Sequence, residues 1–122
     1  MDKSSADNAR QVEAALQEAN DDGVSVFTHT FKRPFQWEGK TFEQLDFDFT
    51  KLSGKDSLAV QNELSSKGIV VAVPTLSGPY LVRIAARACL VPLGVDAFEA
   101  MPIADFNRIQ AKTRNFLLTS EQ

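Results

Sequence analysis

The sequence predicts one α+β domain, in which an N-terminal arm precedes a short antiparallel β-hairpin and three or four packed α-helices. Two patterns support this fold class: apolar and polar residues alternate in residues 24–49, and apolar residues recur at helical spacing across residues 53–118. A length of 122 residues fits a single domain. We therefore place the arm at residues 1–23 and the domain at residues 24–122.

The predicted arm is acidic. Residues 1–22 hold six acidic side chains against Lys3 and Arg10, and their helical stripe of apolar residues is thin. Short helices are marginal in water unless they pack on something, so we interpret the arm as flexible or as a loosely docked helix. The rest of the chain has ten acidic against eleven basic side chains. Because no dense basic patch results, we expect no nucleic-acid partner.

The hairpin prediction depends on two strand-like runs and the turn between them. Residues 24–31 are rich in β-branched and aromatic side chains, which favour strands. The tripeptide Glu38-Gly39-Lys40 is typical of a tight turn. The second run alternates apolar and acidic residues, as a half-buried strand does: Leu45, Asp46, Phe47, Asp48 and Phe49.

Three helices follow the predicted hairpin. Ser53 and Asp56 have capping-box spacing and open a helix that runs to about Lys67 and stops at Gly68. The apolar run at residues 69–73 fits either a strand or a buried loop.

Pro79 opens a second helix, and residues 80–91 are apolar almost all round. We therefore expect this helix at the centre of the core, ended by Pro92 and Gly94. After a short helical turn at residues 96–101, Pro102 starts the last helix, whose apolar stripe comprises Ile103, Phe106, Ile109, Thr113, Phe116 and Leu117.

The residue types that carry chemistry are scarce. The only histidine, His29, lies in a predicted strand among phenylalanines, where a packed or surface role is favoured over a base. The only cysteine, Cys89, is expected to be a small buried hydrophobe; it permits no internal disulfide and fits a reducing cytoplasm. Two such residues are too few for a structural zinc site. Asp46 and Asp48 could pair as acid and base or bind a hard cation, but a solvated strand face is the favoured interpretation. We expect no catalytic residue, metal or cofactor.

The sequence also contains no candidate membrane segment. It has neither a basic start followed by an apolar signal stretch nor an apolar run of 18 residues. We therefore expect a protein that is neither secreted nor embedded in a membrane.

Candidate partner-binding residues fall into three groups. Aromatic residues surround the hairpin turn, where they could anchor a partner or fold back over the helices, and both interpretations stay open. Two arginines one turn apart on the apolar second helix could grip an acidic partner, although pairing with internal acids is favoured. One leucine near the C-terminus falls outside the stripe of the last helix. The predicted partner-binding set is Phe35, Trp37, Phe42, Arg83, Arg87 and Leu118.

One segment carries a resemblance to a known family. Residues 32–52 read KRPFQWEGKTFEQLDFDFTKL. This segment resembles the tail assembly chaperones of long-tailed bacteriophages, the Mu- and P2-like group. The shared order is a strand ending near a proline, an acidic-Gly-Lys turn, an aromatic-Glu-x-Leu step and a strand leading into a capped helix. More loosely, residues 84–94 resemble the central helix of that family and residues 96–106 its last two helices. The acidic arm and the apolar residues 69–74 depart from the pattern.

The resemblance implies a function without catalysis. Members of this family bind the tape measure protein, help tail tube subunits gather on it and are absent from the finished particle. It therefore implies a chaperone of the host cell cytoplasm with the tape measure and tail tube proteins as partners, and it leaves self-association open. The alternative is a permanent structural component of a phage tail or baseplate. No catalytic residues carry over.

Overall fold

The computed structural model describes residues 25–120, so the predicted arm at residues 1–23 lies outside the described part of the chain. Residues 25–120 form a two-stranded antiparallel sheet followed by four α-helices, which confirms the predicted α+β fold class. The strands are β1 (Val26–Trp37) and β2 (Lys40–Asp48). The helices are α1 (Gly54–Ser66), α2 (Gly78–Ala88), α3 (Val95–Glu99) and α4 (Ile103–Ser120), with single 3₁₀ turns at Phe49–Lys51 and Pro74–Leu76.

The hairpin turn forms where the sequence predicts it. Glu38 and Gly39 both have positive φ angles, 49° and 78°, as in the primed turns that match the twist of a hairpin. The strands pair with Phe27 opposite Phe47 and then shift register between Thr30 and Phe35. Pro34 lies in this irregular stretch, where its missing N–H removes no bond from the ladder.

One face of the hairpin forms a wall of the core, as its alternating residues predict. Phe47 is fully buried, stacks on Phe27 at 4.7 Å and contacts Phe98 of α3 at 6.1 Å between ring centroids. Phe49 stacks on Phe116 of α4 at 4.6 Å. The sheet is therefore joined to the helices mainly through aromatic rings.

The first helix confirms the predicted cap. The backbone N–H of Ser53 donates to Asp56 Oδ2 at 2.8 Å, while Ser53 Oγ accepts from the N–H of Lys55 at 3.3 Å. The helix ends at Ser66, and Gly68 then has a φ of 74°. Residues 69–73, for which the sequence left strand and buried loop open, form a loop in which Val70 is 89% exposed.

The second helix is central, as predicted, but it ends earlier than expected. We expected it to continue to Pro92, and it stops at Ala88. Cys89 is extended and bridges to Phe47, and the N–H of Leu90 donates to the carbonyl oxygen of Asp46 at 2.9 Å. The chain leaves the helix here because the outer edge of β2 satisfies its peptide groups. Cys89 is buried as predicted, but beyond the helix.

The last helix agrees with the predicted stripe except at its start. Ile109 and Thr113 are buried, and Phe106, Phe116 and Leu117 are partly buried. Ile103 is 76% exposed, so its predicted place in the core is wrong. Side chains of a helix lean towards its N-terminus, and Ile103 in the first position therefore points past the core.

Candidate partner-binding surface

The aromatic residues near the hairpin turn fold towards the core. Phe35 is buried, and its ring lies 5.4 Å from that of Phe31 and 6.2 Å from that of Trp37. Phe42 faces Phe35 across the strands. Trp37 and Phe42 are partly buried against the core. Of this group, Phe35 therefore belongs to the core, and Trp37 and Phe42 keep part of their surface in solvent.

Both candidate arginines are paired with acids of the neighbouring helix. Arg83 Nε lies 2.5 Å from Glu63 Oε2, and Arg87 Nη1 lies 2.8 Å from Asp56 Oδ1. The hydrogen bond from Ser53, followed by that from Arg87, holds the pKa of Asp56 below its ordinary value. The hydrogen bond from Arg83 does the same to the pKa of Glu63. The two arginines thus tie α2 to α1, the internal pairing that the sequence favoured.

Leu118 is 46% exposed near the end of α4 and directly follows Phe116 and Leu117, which line an open groove. The groove has a volume of about 450 Å³ and lies between the start of α1, the Pro74–Leu76 turn, α2 and the last turns of α4. Phe116 and Leu117 of α4 line it together with Leu52 and Ile84. Val73 and Leu76, which flank the lining residues Pro74 and Thr75 in the chain, are exposed as well.

Sequence reasoning identified Leu118 but missed the groove that the two preceding residues, Phe116 and Leu117, line. The groove combines residues from four segments, and their proximity depends on tertiary packing. One available signal was the apolar stripe of α4, which continues through Phe116 and Leu117 into the last turn of the helix. A second was the apolar loop around Pro74, whose Leu76 side chain is 71% exposed. Large apolar residues at the rim of a groove are typical of surfaces that bind other proteins.

The remaining candidate groups have structural roles. His29 is buried, and its Nε2 lies 2.9 Å from Asp105 Oδ1. Burial is the main cause of the lowered pKa of His29 and of the raised pKa of the Cys89 thiol, which favours neutral side chains at both positions. Asp48 accepts hydrogen bonds from the hydroxyl and, with a smaller effect, the backbone N–H of Thr50, which lower the pKa of Asp48 and cap the Phe49–Lys51 turn. Asp46 accepts from the hydroxyl of Thr28.

Neither a metal-binding cluster nor a membrane-spanning helix is present in residues 25–120. No three His, Cys, Asp or Glu side chains in this range are grouped so that they could hold a metal ion. No helix in the same range is long and apolar enough to cross a bilayer.

A small α+β domain whose candidate arginines and acids pair with each other, and which combines exposed large apolar residues with an open, partly apolar groove, is typical of a protein-binding domain. The chain belongs to the family described as phage tail assembly chaperone proteins, E, or 41 or 14, whose model matches residues 28–118. No curated protein and no solved structure matches the chain. The family match confirms the resemblance drawn from residues 32–52, and the narrower placement in the Mu- and P2-like group stays a prediction.

Family membership sets the general role. The protein is a bacteriophage tail assembly chaperone, which acts through protein partners during morphogenesis in the host cell. This role implies no catalytic activity of its own.

Proposed function

We propose that this chaperone binds the tape measure protein and helps tail tube subunits gather on it. The observation that carries the proposal is the groove of about 450 Å³ lined by Leu52, Ile84, Phe116 and Leu117. A tape measure protein is expected to be a long helical rod with apolar stripes, which aggregates if the stripes stay uncovered. An amphipathic helix that lays its apolar face into such a groove is a recurrent mode of recognition.

The exposed apolar residues that follow groove-lining residues in the chain fit a transient complex. Leu76 and Leu118 offer exposed apolar surface, and neither is needed to fill the core. Trp37 and Phe42 supply a second apolar surface near the hairpin turn. A chaperone must leave when the tail tube arrives, which favours modest contact areas over one large interface. Arg83 and Arg87 already form ion pairs with Glu63 and Asp56. Any contact of these arginines with acidic groups of a partner would therefore be additional to those pairs.

The same proposal assigns a compartment and a fate. The protein acts in the host cytoplasm and is absent from the mature virion. The alternative function, a permanent component of the tail or baseplate, requires the protein in every particle. Mass spectrometry of purified virions distinguishes the two, because a chaperone should be missing while the tail tube protein is abundant. Stoichiometric amounts in the virion would exclude the chaperone cycle proposed here.

Co-expression tests the partner directly. The full chain carrying an affinity tag should retain a tape measure fragment on a column and increase the soluble fraction of that fragment. The matched control is the same fragment expressed with an unrelated tagged domain of similar size. If the fragment is equally soluble in both cultures and is not retained, the tape measure protein is not the partner.

A further inference from the structure

The loop between α1 and α2 carries backbone groups that form no hydrogen bonds with the described part of the chain. Val70 is 89% exposed and Val73 is 48% exposed, although both side chains are apolar. Within residues 25–120, no hydrogen bond reaches the N–H or the carbonyl oxygen of Val70, Val71 or Ala72. Exposed peptide groups of this kind are a template for pairing with another strand.

The residue types of this loop favour a β-strand. Residues 69–73 read IVVAV, and β-branched side chains are enriched in strands. Val73 already has extended backbone angles, with a φ of −130° and a ψ of 104°. Gly68 has a φ of 74° before the run, and Pro74 after it has no N–H to donate. The run can therefore form a short strand once a second strand lies beside it.

The hydrogen bonds at the two ends of the run determine which peptide groups can pair. Ile69 donates its N–H to the carbonyl oxygen of Leu64 at 2.9 Å, and the carbonyl oxygen of Val73 accepts from Leu76 at 3.0 Å. Alternate residues of a strand present their peptide groups at the same edge, so Val70 and Ala72 share one edge and are free of these bonds.

We propose that residues 69–73 of two copies of this chain pair as antiparallel strands about a two-fold axis at Val71. Val70 of one copy then lies opposite Ala72 of the other, and each such pair exchanges both N–H···O bonds. A two-fold axis brings a segment against itself, so a charge in the segment would meet a like charge nearby. Residues 68–82 contain no Asp, Glu, Lys, Arg or His, which removes this repulsion and favours a second copy as the occupant.

The short length of the run makes the association weak. One pair of five-residue strands buries much less than the about 800 Å² per partner of a stable complex. The bend at Ala72 and Val73 must also straighten when the strands pair. We therefore expect a reversible dimer with a Kd of about 100 µM. None of residues 69–73 lines the groove, so the inference is independent of the tape measure proposal.

Sedimentation equilibrium of the full chain, at concentrations from about 10 µM to about 1 mM, tests the proposal. Wild type should form a dimer and no larger species. Val70→Lys should raise the Kd at least about tenfold, because it places an unpaired ammonium group within the strand pair. The matched control is Ile103→Lys, which makes the same change in charge at a side chain that is 76% exposed. Its Kd should stay within about twofold of wild type, and urea curves check that both variants are folded.

A charge exchange and amide hydrogen exchange test the pairing itself. Val70→Lys/Ala72→Glu places opposite charges across both strand pairs and should bring the Kd back to within about threefold of wild type. In wild type, amide exchange at Val70 and Ala72 should slow as the protein concentration rises. Exchange at Val71 should not slow, because its N–H points to the other edge of the strand.

Several results would overturn the proposal. A wild-type protein that stays monomeric at about 1 mM would leave the loop to a different chain. Equal association of wild type and Val70→Lys, or equal weakening by Ile103→Lys, would place the dimer contact elsewhere. Failure of the double variant to regain association, or concentration-dependent protection at Val71 in place of Val70 and Ala72, would exclude the antiparallel pairing about Val71.

Discussion

His29 on β1 and Asp105 in the first turn of α4 form a buried pair, with 2.9 Å between Nε2 and Oδ1. The two residues are 76 positions apart, so this contact ties the start of the domain to its last helix. An ionised carboxylate only accepts, and the neutral imidazole therefore carries its hydrogen on Nε2. Burial lowers the pKa of His29 below its ordinary value of 6.5, against the opposing effect of Asp105.

This pair makes stability depend on pH in a defined direction. Because the folded pKa of His29 is lowered, the unfolded chain takes up a proton first as the pH falls below 6.5. The contribution is fully present above that value and is lost as the pH falls through it towards the folded pKa. Denaturant curves between about pH 7.5 and about pH 5.5 should show a slope of at most about 1.4 kcal/mol per pH unit from this residue.

The control for this prediction is His29→Gln, which keeps a donor for Asp105 but does not titrate. Asp48, Asp56 and Glu63 have pKa values lowered from ordinary values below 5, so they contribute mainly outside the chosen window. The variant should therefore be nearly insensitive to pH there. An equal slope in both proteins would show that another group is responsible.

A second prediction concerns Phe47, which is fully buried between Phe27 and Phe98. Phe47→Ala removes the ring that joins the sheet to α3 and should cost about 3–5 kcal/mol of unfolding free energy. Val26→Ala on the same hairpin is the matched control, because Val26 is exposed, and it should change stability by less than about 0.5 kcal/mol. Urea curves of both variants measure the difference, and a mild effect at Phe47 would contradict the aromatic core.

A third prediction concerns Arg83 and Arg87. One side chain of each ion pair is substantially exposed, Glu63 in the pair with Arg83 and Arg87 in the pair with Asp56. Solvent therefore screens both pairs. Either arginine changed to alanine should cost at most about 1 kcal/mol in thermal or urea unfolding. We also expect tape measure binding to weaken less than in Leu118→Ser. A stronger loss of binding with intact folding would make the arginines the principal contact.

Trp37 provides a fourth prediction. The ring packs on Phe35 but remains partly exposed, so Trp37→Ala should leave the protein folded while it weakens tape measure binding more than Leu118→Ser does. Trp37→Phe, which keeps an apolar ring, should bind more tightly than the alanine variant. Unfolding curves accompany each pull-down, and an unfolded Trp37→Ala protein would place this residue in the core.

Local features of the fold were predictable from the sequence. The hairpin turn at Glu38 and Gly39 and the Ser53–Asp56 capping box depend on residues within four positions of each other. Such short-range geometry is determined by residue type, and the structure confirms both the hairpin turn and the capping box. The alternation around Phe47 likewise identified the buried face of β2, because strand side chains alternate between faces.

Features that depend on distant residues were not predictable. Cys89 lies in a run that continues the helical pattern, but its backbone pairs with Phe47 at the edge of the sheet. The partner of His29 is Asp105, and no spacing in the sequence connects them. The groove lined by Phe116 and Leu117 is likewise built from separate segments that only packing brings together. The helical wheel also placed Ile103 on the buried stripe of the last helix, although its side chain is exposed. A wheel gives the direction of a side chain around the helix axis but does not show where the neighbouring helices end.

The affinity of purified groove variants for a tape measure fragment tests the central claim most directly. Leu118→Ser and Leu76→Ser change exposed residues that directly follow groove-lining residues in the chain, and Leu90→Ser changes an exposed leucine whose chain neighbours do not line the groove. By titration calorimetry, each groove variant should raise the Kd about tenfold, the effect of losing one well-packed apolar contact. The Leu90 control should bind within about twofold of wild type. If the folded groove variants bind as wild type does, or the control weakens equally, the groove is not the tape measure site.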